Sequence, residues 1–190
     1  IPDGKGLCVN VQSELTAYNF AGDYTAWFYN GENHNIGPEK LTETDGTRLP
    51  VMTVKAGDKH YMAIHEACLE TGAPLVLQSK GGESLFSVAS KPTSLSPGYT
   101  SAWRVVMYGV TPGVLTDSHL LELLNPDPDP RYDFSWVKPG LAVWDWRING
   151  AVWNGFTYGM SYPSWVRMVD FAAEQGFKYL VLDANWYGPE

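Results

Sequence analysis

The spacing of apolar residues changes once along the chain, at a proline-rich segment near residue 126. Before that segment, short apolar runs are separated by glycine, proline, asparagine and serine, a pattern typical of strands joined by turns. Regularly spaced short strands of this kind predict a β sandwich. The runs are 7–11, 25–29, 52–54, 61–64, 75–77, 85–88, 103–108 and 120–124.

Three prolines at alternate positions separate the two patterns. Pro126, Pro128 and Pro130 lack backbone donors and restrict the residues before them, so neither a helix nor a central strand is expected to cross this segment. A domain boundary is therefore predicted here. The predicted parts are a β-sandwich region over 1–125, a proline-rich linker over 126–140 and the first part of a second domain over 141–190.

The second domain begins with the pattern of a strand, a helix and another strand. Residues 141–146 form an apolar run, and 165–173 carry apolar residues at the 3.6-residue period of a helix. Gly176 stands where a left-handed residue can end that helix. Residues 177–183 are nearly all apolar, as in a strand buried on both faces. This order predicts a parallel βαβ unit, which needs further strands to form an open sheet or an eight-stranded barrel, so we expect a longer protein.

The charge of the chain argues against two classes of partner. Thirteen Lys and Arg residues against 21 Asp and Glu residues give a formal net charge of −8 at pH 7. This is the wrong sign for binding a phosphate backbone or an anionic membrane surface. No apolar run reaches the roughly 18 residues of a membrane-spanning helix. We therefore expect no nucleic-acid partner and no membrane span.

Carboxylates and indole rings follow both predicted strands of the βαβ unit. The first strand ends in Trp144, Asp145 and Trp146. The second is followed by Asp183 and Trp186. Because the carboxyl ends of parallel strands meet at one edge, and because aromatic faces with carboxylate acceptors suit a sugar, these residues are predicted to bind a sugar. The alternative is that the tryptophans belong to the core and the aspartates cap loops.

Two polar segments of the sandwich region allow a functional or a structural interpretation. Glu32 and Glu39 flank residues 33–35 and either provide oxygen ligands for a hard cation such as calcium or belong to a solvated loop. His65, followed by Glu66, is either catalytic or a hydrogen-bonded structural side chain. No Ser or Cys nucleophile pattern accompanies it.

Several short segments of the chain, taken in order, resemble one enzyme family. They are 22–23, 26–27, the Glu32 segment, 64–69, 102–104, 135–140, 143–146, 169–177 and 182–183 with Trp186. Residues 64–69, Ile-His-Glu-Ala-Cys-Leu, are similar to a His-Glu-Ala-Ala-Leu segment of that family. From about residue 22 onward, the sequence resembles glycoside hydrolase family 97, which contains calcium-associated α-glucosidases and α-galactosidases.

The resemblance implies an N-terminal β sandwich, a catalytic (β/α)8 barrel and a C-terminal β domain. This chain would hold the later part of the sandwich and the first barrel elements, with the remainder of the same polypeptide as its partner. The family's acid and its base or nucleophile lie on later barrel strands, so no catalytic residue is assigned here.

Two kinds of site residue follow from the same resemblance. A sandwich glutamate of the family joins a calcium shell, and Glu32 matches it best, with Glu39 as the alternative. The end of the first barrel strand contributes substrate subsites, which correspond to Trp144, Asp145 and Trp146. The family's double-Trp motif is replaced here by Trp146 followed by Arg147.

The activity implied by the resemblance is exo-acting, calcium-assisted hydrolysis of α-glucosidic bonds in oligosaccharides. A retaining α-galactosidase of the same family is the first alternative. A non-catalytic carbohydrate-binding β domain is the second, and an interaction protein that uses exposed aromatic side chains is the third. Because such enzymes are commonly bacterial and exported, the resemblance also implies a periplasmic or secreted location.

Overall fold

Short strands make up most of the first part of the chain. The computed structural model describes residues 6, 8–32, 34–70, 72–183, 186 and 187. The chain divides into two compact units, Ile1–Asp127 and Pro128–Glu190. The strands described in the first unit are β1 Val9–Val11, β2 Ala17–Asn19, β3 Thr25–Tyr29, β4 Asn35–Lys40, β5 Asp45–Lys55, β6 Tyr61–Ala67, β7 Leu77–Lys80, β8 Leu85–Val88, β9 Thr93–Leu95 and β10 Trp103–Gly109.

The long strand β5 belongs to two sheets. Its first part pairs with β7 from Asp45 to Arg48, and its last part pairs with β6 from Met52 to Lys55. One sheet continues through β7, β8 and β2, whereas the other contains β4, β3, β6 and β10. These pairs are antiparallel. The first unit is therefore mostly β and sandwich-like, as predicted.

The main core of the first unit contains residues from both sheets. The alternation of apolar and polar residues along the strands places one side chain in two on the core face. Phe28 of β3 and Phe86 of β8 are fully buried, with ring centroids 5.7 Å apart. The buried members of this cluster are Ala26, Phe28, Leu41, Met52, Val54, Ile64, Leu75, Leu77, Phe86 and Val88.

Residues 120–123 form a helix that ends at Leu124, so the strand predicted over 120–124 is wrong. The helices of the first unit are α1 Pro112–Thr116 and α2 Leu120–Leu123, and a 3-10 helix covers Leu41–Glu43. Leu120, Leu121 and Leu124 pack against buried residues of β6 and β10, whereas Leu123 is 79% exposed. Leu124 is four residues from Leu120 and three from Leu121, and these spacings bring side chains to the same side of a helix, which explains the structure adopted.

An arginine joins two glutamates in the first unit. Arg104 of β10 donates two hydrogen bonds to the Glu14 carboxylate, at 2.9 and 2.7 Å, and one to Glu66 of β6 at 3.0 Å. Glu66 also accepts a hydrogen bond from the backbone N–H of Leu75. The hydrogen bond from Arg104 lowers the pKa of Glu14. This network fastens the segment before β2 to strands β6 and β10.

His65 precedes Glu66 in strand β6 and makes a local contact with the backbone. Its Nδ1 accepts a hydrogen bond from the Glu66 N–H at 2.8 Å, and burial lowers the pKa of His65. Since Glu66 is engaged by Arg104 and by a backbone N–H, the contacts of the pair favour the structural interpretation over the catalytic one.

The second unit contains a parallel pair of strands with a helix between them. Its elements are β11 Ala142–Trp144, α3 Asp145–Ile148, β12 Val152–Trp153, β13 Phe156–Thr157, α4 Tyr162–Gln175 and β14 Tyr179–Val181. Strands β11 and β14 run parallel, with Ala142 opposite Tyr179 and Trp144 opposite Val181. Strands β12 and β13 form a short antiparallel hairpin before α4. The strand, helix and strand of the sequence are therefore present as a parallel βαβ unit.

Helix α4 has local start and stop signals. Pro163 lies in its first turn, where a missing backbone donor has no consequence. Gly176 ends the helix in a left-handed conformation, with φ of 72°, and the Phe177 N–H donates to the Ala172 oxygen at 2.7 Å. Among the described residues, no helix is long and apolar enough to cross a membrane.

Both parallel strands are shorter than the apolar runs that predicted them. The run 141–146 contains only the strand Ala142–Trp144, and the chain then turns into α3 at Asp145. The run 177–183 contains only Tyr179–Val181. Residues 126–140, all of which the structure describes, form neither helix nor strand.

We expect Glu14→Gln to remove an acid-sensitive part of the stability of the first unit. Because the folded-state pKa of Glu14 lies below the ordinary glutamate value of about 4.3, its stabilisation is present above about pH 5 and is lost as the pH falls through the folded-state pKa. The difference in free energy of unfolding between wild type and variant should be largest near neutral pH and should shrink below about pH 4. Urea unfolding followed by circular dichroism measures it.

Glu83→Gln is the matched control for this variant. Glu83 is exposed and forms no ion pair among the residues that the structure describes. The control should keep the wild-type pH dependence. A difference between wild type and Glu14→Gln that is constant with pH would contradict the role given to the Arg104 network.

Candidate functional site

The carboxyl ends of β11 and β14 lie at the same edge because the two strands are parallel. Trp144, the last residue of β11, donates a hydrogen bond from its indole Nε1 to Asp183 Oδ2 at 2.9 Å. Asp183 follows β14 by two residues. Trp144 is 37% exposed, so the residue beside the Asp183 carboxylate is only partly buried.

Asp145 is fully buried directly after Trp144. Its Oδ2 accepts a hydrogen bond from Trp165 Nε1 at 2.9 Å, and its Oδ1 accepts one from the backbone N–H of Asp183 at 3.0 Å. A buried carboxyl group requires such partners, because burying it without them is costly. Asp145, which the sequence predicts as a substrate-binding residue, therefore directs both oxygens toward groups of this unit.

The other two predicted tryptophans are more exposed. Trp146 in α3 is 54% exposed and Trp186 is 56% exposed. The ring of Trp186 contacts Tyr187 edge to face, with centroids 5.6 Å apart. The hydrogen bonds that Asp145 accepts come from Trp165 and from the Asp183 backbone, and not from either of these tryptophans. The structure thus brings together Trp144, Asp145 and Asp183.

Two further residues belong to this group and were not among the predicted site residues. Trp165, in the first turn of α4, is the second donor to Asp145. Arg147 places its guanidinium 5.2 Å from the centroid of the Trp144 ring, within the range of a cation–π interaction. The sequence places Trp165 at the start of the helix predicted between the two strands, but its contact with Asp145 is visible only in the structure.

Glu32 and Glu39, the two candidate calcium ligands, have different surroundings. Glu32 is exposed in the turn between β3 and β4, and its carboxylate forms no hydrogen bond or ion pair with the described residues. Glu39 of β4 accepts hydrogen bonds from Thr44 at 2.8 Å and from Arg48 at 3.2 Å. Its Oε1 is thus already used within the first unit, which favours Glu32 as the available oxygen donor.

A cation site needs more ligands than Glu32 provides. Calcium takes about six to eight oxygen ligands, several of them carboxylates. Within the described residues, no group of three or more His, Cys, Asp or Glu side chains is placed to hold a metal. Asn33, next to Glu32, lies outside the described residues. The donor chemistry of Glu32 fits calcium, but further ligands would have to come from other parts of the polypeptide.

The group at the strand ends has the chemistry of a sugar-binding surface. A half-exposed indole ring offers a flat apolar face, and a neighbouring carboxylate accepts hydrogen bonds from hydroxyl groups. The group lacks the equipment for hydrolysis, because the two carboxyl groups of a glycosidase must both reach the substrate. Asp145 is buried, and both of its oxygens accept hydrogen bonds within the unit.

Known enzymes match most of this chain. The chain is 27% identical over 195 residues to a retaining alpha-galactosidase of Bacteroides thetaiotaomicron, with 87% of this chain and 29% of that protein covered. It is 28% identical over 206 residues to a probable retaining alpha-galactosidase of Streptomyces bingchenggensis, with 98% and 29% covered. The chain thus spans less than a third of the length of these relatives.

A solved structure matches the backbone over nearly the whole chain. It is a glycoside hydrolase family 97 enzyme in complex with acarbose from Pseudoalteromonas sp. strain K8, with a TM-score of 0.77 and 25% identity. The match covers 99% of this chain and 31% of that one. The family model described as glycosyl-hydrolase 97 N-terminal matches residues 1–126. The resemblance noted in the sequence is confirmed, and the chain belongs to glycoside hydrolase family 97.

Proposed function

We propose that the protein containing this chain is an exo-acting α-galactosidase. It removes terminal α-linked galactose from oligosaccharides and retains the anomeric configuration. The observation that carries this proposal is the partly exposed Trp144, whose indole donates to the Asp183 carboxylate at the edge where parallel strands present ligands. Membership of a hydrolase family supports the enzyme hypothesis over an isolated binding domain or an interaction protein.

The choice of galactosides revises the substrate favoured by the sequence. The family resemblance implies hydrolysis of α-glucosidic bonds, with a retaining α-galactosidase as the alternative. Two relatives that cover most of this chain are named as retaining alpha-galactosidases, one of them as probable. A family 97 enzyme solved with acarbose shares 25% identity with this chain, comparable to the identity of those relatives. The description of that enzyme names no activity, whereas the names of both relatives support the galactoside alternative.

The catalytic groups are proposed to lie in the remainder of the same polypeptide. In retaining hydrolysis, one carboxylate attacks the anomeric carbon while a second carboxyl group protonates the leaving oxygen. We infer that β11, α4 and β14 are the first elements of a (β/α)8 barrel, whose later strands supply both groups. The parallel pairing of β11 and β14 supports this inference. Parallel sheets are normally buried on both faces, which requires further strands and helices around this pair. Export to the periplasm or the medium remains a prediction.

Hydrolysis by the full-length protein tests the proposed function. With 4-nitrophenyl α-galactoside as substrate, we expect release of nitrophenol and, by proton NMR at early times, α-galactose as the first sugar product. Retention follows from two successive displacements at the anomeric carbon. Faster hydrolysis of the matching α-glucoside would restore the first interpretation. A protein that cleaves neither substrate would contradict the enzyme hypothesis.

Trp144→Ala in the full-length enzyme should raise KM for the α-galactoside. The change removes both the ring face offered to the sugar and the indole donor to Asp183. We expect KM to rise about tenfold, as for the loss of one good contact. Trp153→Ala is the matched control, since Trp153 is 69% exposed in the β12–β13 hairpin. An unchanged KM in Trp144→Ala would assign Trp144 to the core alone.

Glu32 is proposed to contribute one carboxylate to a calcium ion whose other ligands come from the remainder of the polypeptide. Calcium bound there would help to orient the substrate. Glu32→Gln should therefore raise the calcium concentration that restores half of the activity after chelation, by about tenfold for the loss of one charged ligand. Glu70→Gln, also at an exposed glutamate, is the control. Wild-type activity that survives chelation unchanged would remove this role.

A further inference from the structure

The ends of β11 and β14 are tied together by two carboxylates in a reciprocal arrangement. Asp145, which follows β11, accepts the backbone N–H of Asp183, which follows β14. In return, the Asp183 side chain accepts the indole N–H of Trp144, the last residue of β11. Each aspartate thus binds a group from the end of the other strand.

Trp165 connects this arrangement to helix α4. Its indole N–H donates to the second oxygen of Asp145, so the carboxyl group is held at both oxygens by a side chain of the helix and the backbone after β14. The three donor to acceptor distances lie between 2.9 and 3.0 Å, within the ordinary range of N–H···O hydrogen bonds. Asp145 therefore meets the end of β11, the end of β14 and the start of α4.

The burial of Asp145 argues for a positioning role. Its side chain is fully buried, whereas the Trp144 ring that it follows is partly exposed. An apolar side chain of similar volume would fill the same space without the desolvation cost of a carboxyl group. A carboxyl group offers what an apolar side chain lacks, namely two acceptors that fix the backbone of Asp183 and the indole of Trp165 in direction as well as distance.

We propose that Asp145 is a positioning residue that sets the placement of the Asp183 carboxylate, and through it the Trp144 ring, for sugar binding. This inference rests on the proposed function, because it gives Asp183 and Trp144 the contact with substrate. It replaces the direct substrate contact that the sequence predicts for Asp145. It also assigns Trp165 to the support of the same site.

A double-mutant cycle in the full-length enzyme separates positioning from general stabilisation. In Asp145→Asn, the amide can accept only one of the two hydrogen bonds and directs a donor at the other N–H. Asp183→Ala removes the side chain through which Asp145 is proposed to act. We expect Asp145→Asn to lower kcat/KM for 4-nitrophenyl α-galactoside about tenfold to 100-fold, as for a small misplacement of a binding group.

The positioning role predicts that the two losses are not additive. In the Asp183→Ala background, Asp145→Asn should cause little further loss, because the group that it positions is already gone. Losses that multiply in the double variant, or a wild-type kcat/KM in Asp145→Asn, would overturn the proposal. A wild-type enzyme that cleaves neither the α-galactoside nor the α-glucoside would overturn the proposed function and this inference together.

Trp165→Phe keeps the test decisive if Asp145→Asn does not fold. Phenylalanine retains a ring at this position and removes only the donor to Asp145 Oδ2, so the hydrogen bond from the Asp183 N–H remains possible. We expect a loss in kcat/KM of about twofold to tenfold, which should again disappear in the Asp183→Ala background. Trp153→Phe, at the exposed hairpin, is the matched control and should retain wild-type kinetics. Additive losses for Trp165→Phe would overturn the positioning role.

Discussion

The buried carboxyl group of Asp145 is the constraint on which the candidate site depends. It accepts hydrogen bonds from the Trp165 indole and from the Asp183 backbone, and so fixes where the chain goes after both parallel strands. The Asp183 side chain, held in this way, accepts the indole N–H of Trp144. The placement of Trp144 and Asp183 therefore depends on the hydrogen bonds that the buried Asp145 accepts.

Backbone pairing and local capping make this constraint possible. Parallel pairing of β11 and β14 brings two chain ends to one edge, and α4 must begin close to that edge for Trp165 to reach Asp145. Gly176 then ends the helix in a left-handed conformation and returns the chain to β14. A short strand, a capped helix and a second short strand are thus enough to assemble the group.

Local patterns in the sequence predict the classes of element better than their ends. The strands with alternating apolar residues and the helix ended by Gly176 follow from short-range signals that depend on neighbouring residues. Residues 120–124 show the limit, because four leucines in five positions fit a strand or a helix, and packing against β6 and β10 selects the helix. The end of strand β11 is likewise set by packing that the apolar run does not reveal, because the chain turns into α3 at the buried Asp145.

The roles of the site residues required the three-dimensional arrangement. The sequence indicates that Asp145 and Asp183 follow strands, but only the structure shows that Asp145 is fully buried and Asp183 only partly buried. The same holds for Glu32 and Glu39, since the hydrogen bonds from Arg48 that engage Glu39 join residues nine positions apart. A crystal structure of the full-length protein with bound galactose tests the central claim most directly. We expect the sugar to contact the Trp144 ring and the Asp183 carboxylate, with Asp145 bonded only to protein groups; a sugar hydroxyl bonded to Asp145, or a sugar distant from both strand ends, would contradict it.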